Sequence, residues 1–287
     1  TLYMTLPLPH LMDLSKSNSN HNQFSTKLAS NEQPYPQDTL LHDTYLKDAY
    51  LTLPRHIREA LLDNSRVIFV ANNPSISTTD LDQTLQKGDI VVLFNHFIQA
   101  EYFAHSPLAA QLTKLLFFRQ IGDSRIHFGL PPRHNNVAII EQMLKDNKVG
   151  FLFGNDRYHF PTLADDPSPD DDPIDDTVTL ELSDSLSAAI ENAHYSSILP
   201  DTHLVVADYP IYEHIHSSAP SSGFLIYRLM LAIKTYLLQY HGHQLQLALL
   251  GFNDDEKTDY FWSGHNWVFE RQEMANPPEG VTLIKVG

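Results

Sequence analysis

Three polar turns, each closing an apolar run, hold the side chains of this sequence best suited to chemistry. "VIFVA" runs into Asn72-Asn73-Pro74-Ser75, "IVVLF" into Asn95-His96, and "LALL" into Gly251-Phe252-Asn253. A carboxamide both donates and accepts, so an Asn at such a point can hold a ribose hydroxyl or a pyrimidine edge. Taken singly, each is equally at home as an ordinary turn residue. A fourth segment offers something different. Pro220-Ser221-Ser222-Gly223 stands directly before a nearly unbroken apolar run that ends near Tyr240. Hydroxyls, a glycine that admits close backbone approach and the unpaired N–H groups of a helix start together suit an anion such as a phosphate. A Ser in that place is also a common helix cap.

The elements needed to position these groups alternate along the chain. A helix is expected near Pro54 to Leu62. "RVIFVANNPSIS" then reads as a buried strand breaking into a turn, and "GDIVVLFNHF" as a second. "NVAIIEQMLKDN" has helical spacing, with Val137, Ile140 and Met143 on one side, and "KVGFLFGND" returns as a strand. A helix from Ser183 to Asn192 and a strand over "THLVVADYP" follow. The apolar helix after Gly223 comes next, then a strand over "HQLQLALLGF" and a strand-like "VTLIKV" at the end. Strands alternating with helices predict an α/β fold with a mostly parallel central sheet flanked by helices. Ligands of such sheets sit at the carboxyl ends of the strands, where the polar turns lie.

Residues 1–50 read as a polar leader, rich in Ser, Asn, Gln and Pro between Ser15 and Asp38, and residues 51–287 as one domain. Within that domain, "ADDPSPDDDPIDDT" at 164–177 holds seven aspartates and three prolines and interrupts the alternation as an insertion. The formal net charge of -16 argues against nucleic acid as a partner, while leaving room for a single nucleotide in a local pocket. The absence of cysteine removes disulfides, thiolate metal sites and Cys nucleophiles, and fits a reducing compartment. Arg228 and Lys234 interrupt the greasiest stretch, Leu225 to Leu238, which is too short for a membrane span. The first residues lack the basic and apolar regions of a signal peptide.

In their order, these segments resemble the sialyltransferases. "VIFVANNPSI" is similar to the "GNGPSL"-type start of the small bacterial enzymes and to the first half of the large sialyl motif of the animal ones. "GDIVVLFNHF" is similar to the remainder of that motif. "APSSGFLIYRLMLAIKTYLLQYHGHQLQLALLGF" resembles the small sialyl motif, with its Pro-Ser-Ser/Thr-Gly opening and Gly-Phe close. "HNWVFE" matches the short terminal motif, His265 followed after four residues by Glu270. The matched segments fall between Arg66 and Glu270, with long unmatched stretches between them.

The resemblance implies a GT-A-like nucleotide-binding domain and a CMP-activated keto-acid sugar as donor, with a glycan hydroxyl as acceptor and no cofactor or metal. Asn73, with Pro74 and Ser75 of its turn, would contact phosphate or ribose, and Asn95 the nucleoside. Ser221, Ser222 and Gly223 would hold the donor's phosphate or carboxylate, next to Gly251. His265 would be the catalytic base, oriented by Glu270, and Tyr260 would donate to the leaving phosphate. The chemistry suits these types, because an oxocarbenium-like centre forms as CMP leaves and the acceptor hydroxyl must lose a proton. Assembly of bacterial surface polysaccharide or lipooligosaccharide is the implied setting, in the cytoplasm at the inner face of the inner membrane. There are departures. The animal disulfide is missing, "LLFFRQIGDS" replaces the third Asn-bearing turn of the bacterial enzymes, and neither the leader nor the acidic insertion belongs to the pattern.

Other readings stay open. The donor class includes sialic acid, legionaminic-type sugars and Kdo, and a binding module that kept the fold without the chemistry would share these motifs. The sixteen histidines raise a metal site, at Glu213, His214 and His216 or at His241 and His243, and the Asp run raises calcium. The run lacks the Gly and terminal Glu of a calcium loop, so a solvated surface loop is the better account.

Overall fold

The computed structural model describes residues 36–120, 137–144, 148–155, 194–196, 205, 208–210, 220–253 and 265–287, with Asp184 and Ala188. In chain order the elements are α1 (Pro36–Leu51), α2 (Arg55–Asp63), β1 (Arg66–Val70), α3 (Thr78–Thr84), β2 (Ile90–Phe94) and α4 (Ala100–His105). There follow β3 (Thr113–Gln120), α5 (Val137–Leu144), β4 (Val149–Asn155), β5 (His194–Ser196), α6 (Ser222–His241), β6 (Gln246–Leu250), α7 (Trp267–Ala275) and β7 (Val281–Ile284).

The strands form one sheet in the order β5-β4-β3-β2-β1-β6-β7, and every neighbouring pair is parallel. β1, β2 and β6 are continuous apolar runs because both of their faces are covered. Val67 and Phe69 of β1, with Ile90 and Val92 of β2 and Leu247 and Leu249 of β6, point into one core. Helices α1, α2, α6 and α7 cover that face. Ile68, Val70, Val91, Leu93 and Leu250 point into the other, under α3, α4 and α5.

Strand order reverses beside β1. The chain steps from β1 outward through β2, β3 and β4, then returns through α6 to place β6 on β1's other side. The carboxyl ends of β1 and β6, where that reversal falls, are the usual ligand position in open α/β sheets.

α6 explains why a helix can be apolar on nearly every side. Phe224, Ile226, Met230, Ile233 and Leu237 are fully buried, and α1 lies over its outer flank, with Tyr50 stacked on Tyr236 at 4.8 Å between ring centroids. Leu46 and Ala49 of α1 are buried as well, so this part of the polar leader forms core. The helix starts at the Ser221 cap, whose side chain accepts from the Phe224 N–H, and stops at Gly242 in the left-handed region at φ 62°. Among the described residues, no helix is long and apolar enough to cross a membrane.

Some expected elements differ. The strand expected over "THLVVADYP" is not seen in its described residues. Val205 and Asp208 lie in turns, and the edge of the sheet is taken by the short β5 instead. Pro210 cannot donate to a ladder, and the tight ion pair of Asp208 with Arg228 of α6 holds this segment against the helix layer. Most of the helix expected from Ser183 to Asn192 and all of the acidic insertion at 164–177 lie outside the described residues.

Candidate active site

The carboxyl ends of β1, β2 and β6 bring together most of the sequence-predicted residues. At the end of β2, Asn95 adopts φ 51° and is the only non-glycine residue with positive φ among those described. A non-glycine residue there is uncommon and costs about 1–3 kcal/mol, and it persists only where the surroundings impose it. Here the Asn95 N–H donates to the Phe117 carbonyl at 2.9 Å, and the Asn95 carboxamide donates to the Ser222 hydroxyl at 2.9 Å. The left-handed turn thus throws the amide across the sheet edge onto the first residue of α6. Two segments that are 127 residues apart in sequence meet in one hydrogen bond.

Ser222 accepts in that bond and retains its own O–H as a donor. The N–H groups of Ser222 and Gly223 open the helix, so neither has a carbonyl one turn back within it. Gly223 fits a tight space: a Cβ there would lie 3.0 Å from the Phe94 ring and 3.1 Å from the Phe252 ring. The helix start is pressed onto the ends of β2 and β6.

Ser221 is used differently. Its hydroxyl accepts from the Phe224 N–H at 3.2 Å and donates to Glu270 Oε2 at 2.6 Å, while its own N–H donates to Glu270 Oε1 at 2.8 Å. Glu270 is fully buried. Its carboxylate sits at the positive end of α6, where a built-in anion is favourable. Tyr209 supplies the third donor, its hydroxyl 2.9 Å from Glu270 Oε1, and the same hydroxyl accepts from the Asn266 N–H at 2.8 Å. The chain Ser221–Glu270–Tyr209–Asn266 ties the start of α6 to the segment carrying His265. Glu270 therefore reaches the histidine's segment through Tyr209. His265 is half-buried, its ring edge-on to Trp267 at 5.1 Å and 86°.

Asn73 is built into the crevice wall. Its amide donates to the Gly251 carbonyl at 2.9 Å, and its Oδ1 accepts from the Ser75 N–H at 2.9 Å, which shapes the Asn-Pro-Ser turn. Pro74 and Ser75 are exposed at the rim. Asn72 likewise spans β1 and β2, donating to the Phe94 carbonyl at 3.1 Å. Asn253 clamps the chain after β7, donating to the Val286 carbonyl at 2.6 Å. Tyr260 lies outside the described residues, as do Glu213, His214 and His216. Of the other histidines raised for metal, His243 bonds the Asn64 carbonyl at 3.1 Å and His241 packs on Tyr236. Among the described residues, no group of three or more ligand-type side chains gathers as a metal site.

Gly251 lies at φ 75°, and a Cβ there would come within 2.6 Å of Ile76. Gly251→Ala is expected to lower stability by about 2–4 kcal/mol, the sum of left-handed strain and overpacking. Urea denaturation followed by circular dichroism measures it, and a loss below about 0.5 kcal/mol would contradict the packing described.

Two residues of the site had no role assigned from sequence. Tyr209 stands in "ADYP", which reads as a strand end, and nothing local points to a carboxylate partner 61 residues away. Gln99 stands in "HFIQAEYF", which gives no signal of its own. It is buried at the N-terminus of α4, and its amide donates to the carbonyls of Ala71 and Asn73, both at 3.2 Å.

Compared with known proteins, the chain matches no protein-family model, no curated protein and no solved structure.

Proposed function

We propose that the chain is a CMP-sugar-dependent glycosyltransferase of the GT-A-like, sialyltransferase-like type. The carrying observation is the Asn95–Ser222 bond, made by a strained strand-end asparagine to the first residue of a buried helix. The two segments resemble separate sialyl motifs, and their meeting at the reversal of strand order supports reading them as one site. In this reading Asn95 and the rim of the Asn73-Pro74-Ser75 turn face the nucleoside. Ser222 and the open N–H groups of Ser222 and Gly223 take the phosphate, and Ser221 with Glu270 holds that helix start rigid.

The reaction transfers a sialic-acid-like keto-acid sugar, or Kdo, to a glycan hydroxyl. As the C–O bond to phosphate breaks, its electron pair leaves with CMP. The acceptor oxygen attacks the opposite face of the anomeric carbon, with inversion, and its proton passes to the His265 imidazole. The cytoplasmic face of the inner membrane is the proposed workplace, with surface polysaccharide or lipooligosaccharide as the acceptor.

CMP is expected to raise the thermal midpoint of the protein equally with and without EDTA, because carboxamide, hydroxyl and N–H groups hold the phosphate. Stabilisation that vanishes with EDTA and returns with manganese would overturn the metal-free part. Ser222→Ala is expected to weaken CMP binding by about 1–3 kcal/mol, the loss of a bond to a charged group. CMP release from a panel of CMP-activated keto-acid sugars, with and without neutral glycans, tests the reaction itself. If no member of the panel is turned over, the reading fails.

A further inference from the structure

Three holds converge on Tyr209. Its chain neighbour Asp208 is tied to Arg228 of α6 by bonds of 2.6 and 3.3 Å, which pins this backbone to the helix. Its ring is buried, 5.8 Å from the Phe224 ring of α6 and edge-on to Phe269 of α7 at 5.3 Å and 81°. Its hydroxyl donates to Glu270 Oε1 at 2.9 Å and accepts from the Asn266 N–H at 2.8 Å. A carboxylate only accepts and an N–H only donates, so the group between them has to do both, as a phenol does. Phenylalanine would fill the same space and make neither bond.

The Asn266 N–H belongs to the peptide plane that joins His265 to Asn266, and the carbonyl of that plane is His265's own. That carbonyl accepts from the Trp267 N–H at 3.1 Å. On its other edge the plane is held by Tyr209. A planar peptide gripped on both edges has a fixed orientation, and this sets where the His265 side chain starts. The imidazole then lies edge-on to Trp267 at 5.1 Å and 86°. Glu270, at the far side of the phenol, is itself held by the Ser221 N–H and hydroxyl at 2.8 and 2.6 Å. The imidazole's place is thus referred through one hydroxyl to the start of α6. Such placement matters, because a shift of about 1 Å in a reacting group costs on the order of 10²-fold in rate.

We propose that Tyr209 is a positioning residue for His265: its hydroxyl passes the hold of the α6 start to the peptide that presents the imidazole. The proposal rests on the reading of His265 as the base, and Tyr209 acts through that residue rather than on the substrate. A split in the kinetics follows. Without the Tyr209 hydroxyl, Ser221 still makes both of its bonds to Glu270, so the phosphate end of the site is kept. The His265 peptide loses one of its two grips, so turnover falls.

Tyr209→Phe tests this in the full chain, and it keeps the ring that packs on Phe224 and Phe269. The control is Tyr102→Phe, which also loses a phenol bond to a carboxylate, Asp82 at 2.7 Å, but in the layer on the other face of the sheet. With whichever CMP-activated keto-acid sugar is turned over, kcat is expected to fall about 10–100-fold in Tyr209→Phe, while donor KM and CMP affinity stay within about twofold. Tyr102→Phe is expected to keep all three. A second readout needs no turnover. The sequence holds two tryptophans, so a Trp262→Phe background leaves Trp267 as the sole indole. A protonated imidazole quenches an indole that it packs against. Trp267 emission is therefore expected to fall in one step as pH drops from about 8 to about 5, and His265→Ala to abolish that step. In Tyr209→Phe the step is expected to lose at least half its amplitude, and in Tyr102→Phe to keep it. A parent that shows the step but turns over no donor defeats the transferase reading and leaves the quench to decide the role of Tyr209. A parent without the step, an unchanged step in Tyr209→Phe, or a Tyr209→Phe enzyme with normal kcat or with its loss confined to donor KM overturns the proposal.

Discussion

Glu270→Ala is expected to cost the protein about 3–5 kcal/mol, the scale of leaving several buried donors without their acceptor. The carboxylate is fully buried and accepts, among the described residues, from the Ser221 N–H at 2.8 Å, the Ser221 hydroxyl at 2.6 Å and the Tyr209 hydroxyl at 2.9 Å. Alanine removes all three acceptor contacts at once and leaves a void beneath α7. Bonds to an ionised acceptor contribute about 1.5–3 kcal/mol each, and they are not additive here because Ser221 supplies two of them. Glu270→Gln keeps the volume and one acceptor oxygen but turns an NH₂ group toward donors. Its expected loss is smaller, about 2–3 kcal/mol. Urea denaturation of the full chain, read by circular dichroism, distinguishes the two. A loss under about 1 kcal/mol for alanine would mean that the Ser221–Glu270–Tyr209 link does not hold the start of α6.

That link also marks where sequence reasoning stops. The apolar strands were legible because a strand covered on both faces must be continuously apolar, and β1, β2 and β6 are. The parallel sheet followed from the alternation of elements. The pairing of Asn95 with the start of α6 was not readable from spacing, since it depends on a left-handed turn that Asn tolerates but does not dictate. Local spacing also suggested that Glu270 would orient His265, because the two lie close in sequence. In the folded chain the carboxylate also sits at the positive end of α6, where it accepts from two Ser221 donors, a partner that spacing gave no sign of. Asn73 illustrates the same limit. Its type suits a ligand, yet its amide closes the gap between β1 and β6 by bonding the Gly251 carbonyl. The helix α1 was hidden for a different reason: its apolar residues do not line up as one helical face, and their value comes from covering a neighbouring helix that is itself distant in sequence.

The largest kinetic effect is expected at His265. If the imidazole takes the proton of the acceptor hydroxyl, His265→Ala lowers transfer by roughly 10²–10⁴-fold, the usual contribution of a positioned base, while CMP binding is retained. The fold should tolerate the change, because the ring is only half-buried and its described packing is an edge contact with Trp267 at 5.1 Å. Its backbone position is also held through its neighbour. The following residue, Asn266, donates its N–H to Tyr209 and caps α7 by accepting from the Phe269 N–H at 3.1 Å. Stability and binding therefore serve as controls, and turnover is the readout. The pH dependence gives a second one. Parent turnover should rise with pH through a single ionisation, as the imidazole loses its proton and becomes able to accept one, and the residual activity of the variant should lose that step. A histidine that merely packs beside Trp267 would leave both rate and pH profile unchanged. Near-normal turnover of His265→Ala at saturating donor and acceptor would remove the base from the mechanism, and with it the reaction assigned to this crevice.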